Sequence, residues 1–272
     1  MAFDPSKYIT KPLKQIRWGS LLLGASGRGK TFQYRTLVDA GYKPLYLASE
    51  KKAGTIADLN PDTIVVGKPD YPIREQGAAA GESDLFDIFQ WLLTGKHDYD
   101  VVFWDGPMRE CEDLLTYLKE VKNLGGQDLW GAFAEKCEKM VKKYISLTNP
   151  SLPKPIHVIA TWGVEKEKDW TGTIGVQPLV DGQKFKPRMP YLFENILGLD
   201  RVMDPVSATE DYVMYTMPTK GMDCKISAGG IKFPAIIKQP SIGAILRRLE
   251  ASVGATATGV DATSKGSEVL PA

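Results

Sequence analysis

The chain has 272 residues, enough to bury a sizeable core, and 34 Lys and Arg against 33 Asp and Glu leave a net charge of +1. Because no global charge attracts nucleic acid or a membrane surface, any contact with DNA must come from a local patch. Three cysteines without a C-x-x-C pair and only two histidines argue against a structural zinc site.

The two ends of the chain differ from its middle in amino-acid composition. Residues 1–16 are polar with two prolines and read as an N-terminal arm, residues 17–250 as one core, and residues 251–272 as a disordered tail rich in Ala, Thr, Gly and Ser. Asp4 and Lys7 interrupt any signal-like apolar stretch, and no apolar run approaches the roughly 18 residues of a membrane span. The odd number of thiols then favours a cytoplasmic location, in the host cell if a phage encodes the chain.

A phosphate-binding loop is the strongest pattern in the sequence. Residues 24–31 read G-A-S-G-R-G-K-T, after an apolar strand and before a predicted helix at about 30–40. Backbone N–H groups of such a loop cradle phosphates, Lys30 reaches the β- and γ-oxygens, and the Thr31 hydroxyl ligates Mg²⁺. The predicted ATP-binding residues are Gly24, Ala25, Ser26, Gly27, Arg28, Gly29, Lys30 and Thr31.

Beyond this loop, strands alternate with helices. Buried strands are predicted at 43–50, 63–66, 100–105, 156–161 and 196–202, and helices at 83–93 and 108–146 with a break at the two glycines 125–126. This alternation predicts an α/β fold with a mostly parallel central sheet and helices on both faces.

Polar residues close several of these strands, at the edge where open α/β sheets bind ligands. Asp105 ends an apolar run and reads as a Walker-B aspartate that holds Mg²⁺ together with Thr31. The next residue is Gly106 rather than Glu, so either another residue is the catalytic base or the chain has none. Glu50 is the candidate general base, with a solvent-exposed strand-end Glu as the alternative, and Thr161 is a candidate sensor of the γ-phosphate.

In motif order the chain resembles the RecA-type recombinase core, and most closely the short phage RecA-like ATPases of the Sak-type single-strand-annealing group. The matching segments are GASGRGKT (24–31), PLYLASE (44–50), VVFWDGP (101–107), a two-helix stretch with Gln127 and Trp130-Gly131, VIATWGVEKEKD (158–169), GVQPLVDGQKFKPRMP (175–190) and ILGLDRV (196–202).

The resemblance implies ATP-dependent, Mg²⁺-dependent assembly on single-stranded DNA as a homo-oligomer, either a ring or a filament, with Glu50 catalytic and Asp105 at the metal. It also implies a late β-hairpin, at residues 212–226, whose cation acts on a neighbouring subunit's ATP. Relatives carry a Lys-x-Arg-like pair there, whereas this chain keeps only Lys225. The resemblance also implies a single-strand-binding protein as a partner. Compared with bacterial RecA, this sequence shows no counterpart of the large extra domains.

The stretch from 165 to 190 is the predicted DNA-binding loop. Its candidate residues are Lys166, Lys168, Trp170, Lys184, Phe185, Lys186 and Arg188. Cations for phosphates and rings for stacking are what a sequence-tolerant single-strand groove uses, although four acids in the same stretch equally fit a solvated loop. Three alternatives stay open: a P-loop kinase of a small metabolite or nucleotide, a motor or helicase-type ATPase, and a binding module that uses ATP only as a switch.

Overall fold

The computed structural model describes residues 16–49, 53–66, 84–168, 174–203, 209–219, 221–227 and 231–257. Within these ranges the strands are β1 (Gly19–Leu23), β2 (Pro44–Ala48), β3 (Thr63–Val65), β4 (Val101–Asp105), β5 (His157–Trp162), β6 (Val164–Lys168), β7 (Ile174–Pro178), β8 (Asn195–Met203), β9 (Glu210–Tyr215) and β10 (Ile236–Lys238). The α-helices are α1 (Gln33–Asp39), α2 (Asp84–Leu93), α3 (Met108–Glu120), α4 (Gly126–Ile145) and α5 (Ile242–Ala257). In the described part of the chain, short 3₁₀ helices lie at Ala53–Leu59, Ser146–Thr148 and Met189–Leu192.

The central sheet has eight strands in the order β10-β9-β8-β1-β5-β4-β2-β3. The pairs from β8 to β3 are parallel, and β9 and β10 add antiparallel pairs at the other edge. The α/β, RecA-like P-loop fold predicted from the sequence is therefore confirmed. Strand β5 lies between the strand that leads into the P-loop and the strand that ends at Asp105.

Each face of the sheet carries its own core, because successive strand residues point to opposite faces. Leu21 and Leu23 pack with α2, α3 and α4, whereas Leu22 packs with α1 and α5. Within the described part of the chain, no helix is both long and apolar enough to cross a membrane.

Helix α5 is attached to the helix that follows the P-loop. The Gln33 side chain accepts from Ile242 N at 2.9 Å and donates to Pro240 O at 3.1 Å, and Thr36 Oγ1 accepts from Gly243 N at 3.2 Å. These contacts satisfy N–H groups that the first turn of a helix cannot satisfy itself. The helix continues to Ala257, so the predicted disordered tail starts too early, and residues 258–272 lie outside the described residues.

The far end of α5 is joined to β5 through Glu250. This carboxylate accepts from Tyr42 Oη at 2.8 Å and lies 3.0 Å from Nε2 of the fully buried His157, with Arg17 forming an ion pair on the same side. His157 Nδ1 accepts from Trp18 N at 3.1 Å, so Nε2 carries the proton and donates to Glu250. Although burial raises it, hydrogen bonds from His157 and Tyr42 lower the pKa of Glu250 to about 2.

Two predicted segments form different structures from those expected. The stretch after β5, predicted as an irregular loop, begins with the antiparallel hairpin β6–β7. The late hairpin does not form between residues 212–217 and 222–226: β9 pairs with β8 and β10, and Lys225 pairs with Ile196 near the start of β8. Residues 216–219 and 221–224 lie outside the named strands, and Lys225 forms its bridge with β8 instead of with β9.

Candidate nucleotide site

The P-loop lies at the carboxyl edge of the sheet. Its first residue is joined to the neighbouring strand by the bond from Gly24 N to Trp162 O, at 3.1 Å. At Gly29 the backbone has φ +81°, a left-handed conformation that favours glycine, and a Cβ there would come within 3.2 Å of the Tyr212 ring. Two separate requirements therefore call for glycine before Lys30.

Lys30 is folded back onto its own loop. Its Nζ donates to Gly24 O at 2.7 Å and to Ala25 O at 2.9 Å. Burial lowers the pKa of this ammonium, while the negative charge of Asp105 opposes that shift. An ammonium group held this way in the mouth of the loop is placed to exchange carbonyl oxygens for phosphate oxygens.

Hydroxyl groups from separate strands and from the loop converge on Asp105. Thr31 Oγ1 donates to Oδ2 at 2.8 Å and Tyr46 Oη donates to the same oxygen at 2.5 Å. Thr161 Oγ1 donates to Oδ1 and accepts from Gly106 N at 3.2 Å. The register places these residues together, since Asp105 pairs with Ala48 on one side and with Thr161 on the other.

This arrangement fits a Mg²⁺–nucleotide complex. A carboxylate and a hydroxyl group are the hard oxygen ligands that Mg²⁺ prefers, and they lie beside a loop whose lysine is already turned toward the phosphate position. Thr31 and Asp105, the two predicted metal residues, are thus within hydrogen-bond distance of each other.

Thr161 is fixed in the site by its bonds to Asp105 and Gly106, so it positions the metal aspartate; its contact with a γ-phosphate stays a prediction. Glu50, the predicted base, lies outside the described residues. Its neighbour Ser49 donates its N–H to Asp105 O at 3.1 Å. Tyr46 was not predicted, because an aromatic residue inside a buried strand reads as core and nothing in the sequence marks its hydroxyl group.

Lys225 does not join this group. It pairs with Ile196, which in turn pairs with Leu21, three residues before Gly24. At about 3.3 Å per residue and 4.8 Å per strand, its backbone is more than 10 Å from the P-loop of its own chain. The exposed Lys225 side chain lies near Glu194. Burial raises the pKa of Glu194 above its ordinary value, and the positive charge of Lys225 opposes part of that shift. A role on a neighbouring subunit's ATP remains a prediction.

The predicted DNA residues are dispersed. Phe185 is 1% exposed and belongs to the hydrophobic core, so its ring presents no face on which a base can stack, and that prediction is wrong for this structure. Lys186 is also mostly buried and pairs with Glu165 at 2.6 Å. Lys166, Lys184 and Arg188 are exposed. Trp170 and the side chain of Lys168 lie outside the described residues.

Comparison with known proteins identifies the class of this site. A family profile described as "AAA domain" matches residues 17–227, more than half of the chain. No curated protein sequence matches. Among solved structures, the chain is similar to the flagellar accessory protein FlaH from Methanocaldococcus jannaschii, at 10% identity and TM-score 0.39, covering 83% of this chain and 87% of that one.

Proposed function

This chain belongs to the AAA domain family of ATP-binding P-loop proteins, and from that premise we propose that it is an oligomeric, Mg²⁺-dependent ATPase acting on single-stranded DNA. Its role is phage recombination, by annealing or strand pairing, or replication. The observation that carries the ATPase part is the convergence of Thr31, Tyr46 and Thr161 on Asp105 beside the folded-back Lys30.

Each residue of the site has a task in hydrolysis. Lys30 would exchange the carbonyls of Gly24 and Ala25 for β- and γ-phosphate oxygens, and Thr31 and Asp105 are the residues that would hold Mg²⁺. When bound, Mg²⁺ neutralises charge that develops on the phosphates. Glu50 orients the attacking water and accepts its proton, while Tyr46 and Thr161 keep the Asp105 carboxylate in one orientation.

Support for DNA as the target comes from the sequence resemblance and from exposed cations after β5. Lys166 lies on the hairpin that directly follows β5, and Lys184 and Arg188 lie in the segment beyond it. Backbone phosphates are bound by such cations without regard to sequence. Assembly of subunits is supported by the position of Lys225, which is exposed and remote from the P-loop of its own chain.

The test is ATP turnover with and without single-stranded DNA, beside a panel of nucleoside acceptors. We expect turnover to rise with DNA, to vanish in Lys30→Ala, and to fall about 100-fold in Glu50→Gln while nucleotide binding persists. Phosphate transfer to an acceptor would instead indicate a P-loop kinase. Turnover that ignores DNA at every salt concentration would contradict the DNA role, and wild-type turnover in Lys30→Ala would contradict the site.

A further inference from the structure

A groove of about 1070 Å³ opens on the side of the sheet that α2 and α4 cover, and none of its lining residues belongs to the P-loop. Its walls are α2, α4 and residues 184–188. The groove was not evident in the sequence because its cations come from two segments more than 40 residues apart. They are Lys139, Lys142, Lys143, Lys184 and Arg188.

Positive charge is in excess in this groove. The carboxylates on its walls are Asp87, Glu135 and Glu138. Glu138 is already engaged, because Lys142 pairs with it at 2.5 Å and lowers its pKa, an effect to which Arg188 and Lys184 add. Five cations and three carboxylates line the groove, a net charge of about +2, so a polyanion gains more by entering it than a polycation does.

The cations are spaced along one side of α4. Residues three and four apart on a helix are neighbours, with about 5–6 Å between their Cβ atoms, so Lys139 is followed one turn later by Lys142 and Lys143. Phe86, half-buried at the edge of the groove, has the Lys139 ammonium 5.5 Å from its ring centroid. Regularly spaced cations beside an aromatic ring match a chain of phosphates that carries flat bases.

The third wall of the groove is tied to the hairpin proposed to contact DNA. Lys186, between Lys184 and Arg188, reaches back to Glu165 on β6 at 2.6 Å. The exposed Lys166 follows Glu165 in the sequence, so it lies on the strand to which Lys186 anchors the groove wall. The ion pair between Lys186 and Glu165 thus joins the segment that carries the groove cations Lys184 and Arg188 to the hairpin that carries Lys166.

We propose that this groove binds the phosphate backbone of single-stranded DNA, with Lys143, Lys184 and Arg188 as the contacting cations. The proposal rests on the proposed DNA function and adds the path of the strand, which runs over α4 and not only along the hairpin. The buried Phe185 forms the floor of this path and contributes no stacking.

The test measures binding of a fluorescent oligo-dT over a salt series. In Lys184→Gln/Arg188→Gln we expect affinity about 10-fold weaker, and a slope of log K against log salt that is smaller by about 1.4, from 0.7 per lost phosphate contact. The matched control, Lys96→Gln/Lys232→Gln, removes two exposed cations outside the groove and should bind as the wild type does. Binding of a fluorescent ATP analogue should be equal in all of them.

The possible results distinguish failure of the groove proposal from failure of the proposed DNA function. If the wild type does not bind oligo-dT, the DNA function fails and the groove proposal fails with it. If the wild type binds and the groove variant keeps wild-type affinity and slope while Lys166→Gln loses both, the groove is excluded and the DNA function stands. Should the double variant lose ATP-analogue binding through misfolding, Lys143→Gln alone decides by the same slope criterion. Competition by polyglutamate as strong as by DNA would assign the groove to an acidic protein segment and overturn the proposal.

Discussion

At the scale of single residues, Tyr46 is the least expected member of the nucleotide site. Its hydroxyl group donates to Asp105 Oδ2 at 2.5 Å from a side chain that is 1% exposed. A hydrogen bond to a charged group contributes about 1.5–3 kcal/mol, so its loss leaves the carboxylate held by Thr31 and Thr161 alone among the described side chains. In Tyr46→Phe we expect turnover about 10-fold lower, with nucleotide affinity little changed, measured by steady-state hydrolysis across a Mg²⁺ titration.

Tyr34 provides the control for this prediction. It is equally buried and touches Tyr46 edge to face, but its hydroxyl group donates to Pro44 O at 2.9 Å rather than to Asp105. Tyr34→Phe therefore removes the same atom from the same core. If both variants lose turnover alike, the effect belongs to packing and not to the metal aspartate.

The pair His157 and Glu250 predicts how stability depends on pH. Burial lowers the pKa of His157 below its ordinary 6.5, so the unfolded chain binds more protons than the folded one once the pH falls below that value. The pKa of Glu250 is likewise lower in the folded state, about 2 against 4.5, and its contribution is lost as the pH falls from 4.5 toward 2. The melting temperature should be highest near neutral pH and fall on acidification.

A melting series from about pH 8 to pH 4 checks this expectation. His157→Phe keeps a flat ring on Trp18 but cannot titrate, so its profile should be flatter between pH 7 and 5 although its stability is lower throughout. His97 is half-buried and burial lowers its pKa as well, so His97→Phe should flatten the profile less. An unchanged slope in His157→Phe would contradict the assignment.

At the scale of elements, the contact between α1 and α5 is unusually close. A Cβ at Gly243 would come within 2.0 Å of Thr36 O and 2.8 Å of Ala40 Cβ. Because one of these atoms is backbone, an added methyl must push the helices apart, which costs about 1–3 kcal/mol or more. Gly243→Ala should therefore lower the free energy of unfolding by at least that amount in urea denaturation.

Gly131 in α4 is the matched case. Nothing lies within 4 Å of a Cβ built there, and its φ is not positive. Gly131→Ala should be neutral or stabilise by about 0.5–1 kcal/mol, since alanine favours a helix interior over glycine. Equal losses in the two variants would show that the close approach at Gly243 is not the cause.

Elements that depend on local pattern were predicted well from the sequence. The strand before the P-loop and the run that ends at Asp105 are short apolar segments bounded by clear signals, and both form as expected. Pairings between distant segments were not predicted. The bond from Tyr46 to Asp105 depends on β2 and β4 being neighbours, and the position of Lys225 beside Ile196 depends on where the chain returns to the sheet after β9. Such relations depend on register, which residue periodicity does not encode.

At the scale of the whole molecule, truncation tests whether the last residues of α5 contribute to stability. Val253 packs against the core formed with α1, and the helix around it extends to Ala257. Deleting everything from residue 251 onward removes the last part of this helix, whereas deleting from residue 258 onward leaves it whole. We expect a lower melting temperature for the longer deletion than for the shorter one, and equal values would show that residues 251–257 contribute nothing.

The strand order also sets when in protein synthesis the nucleotide site can first exist. A nascent chain that has emerged through residue 150 contains the P-loop and Asp105, but not β5, which separates their strands. Until residues 157–162 leave the ribosome and pair with β1 and β4, nothing holds the P-loop and Asp105 at their distance from each other in the folded sheet. We therefore expect ATP to stabilise the folding chain only after β5 has inserted, and the strand edges exposed before that point gain no protection from the nucleotide.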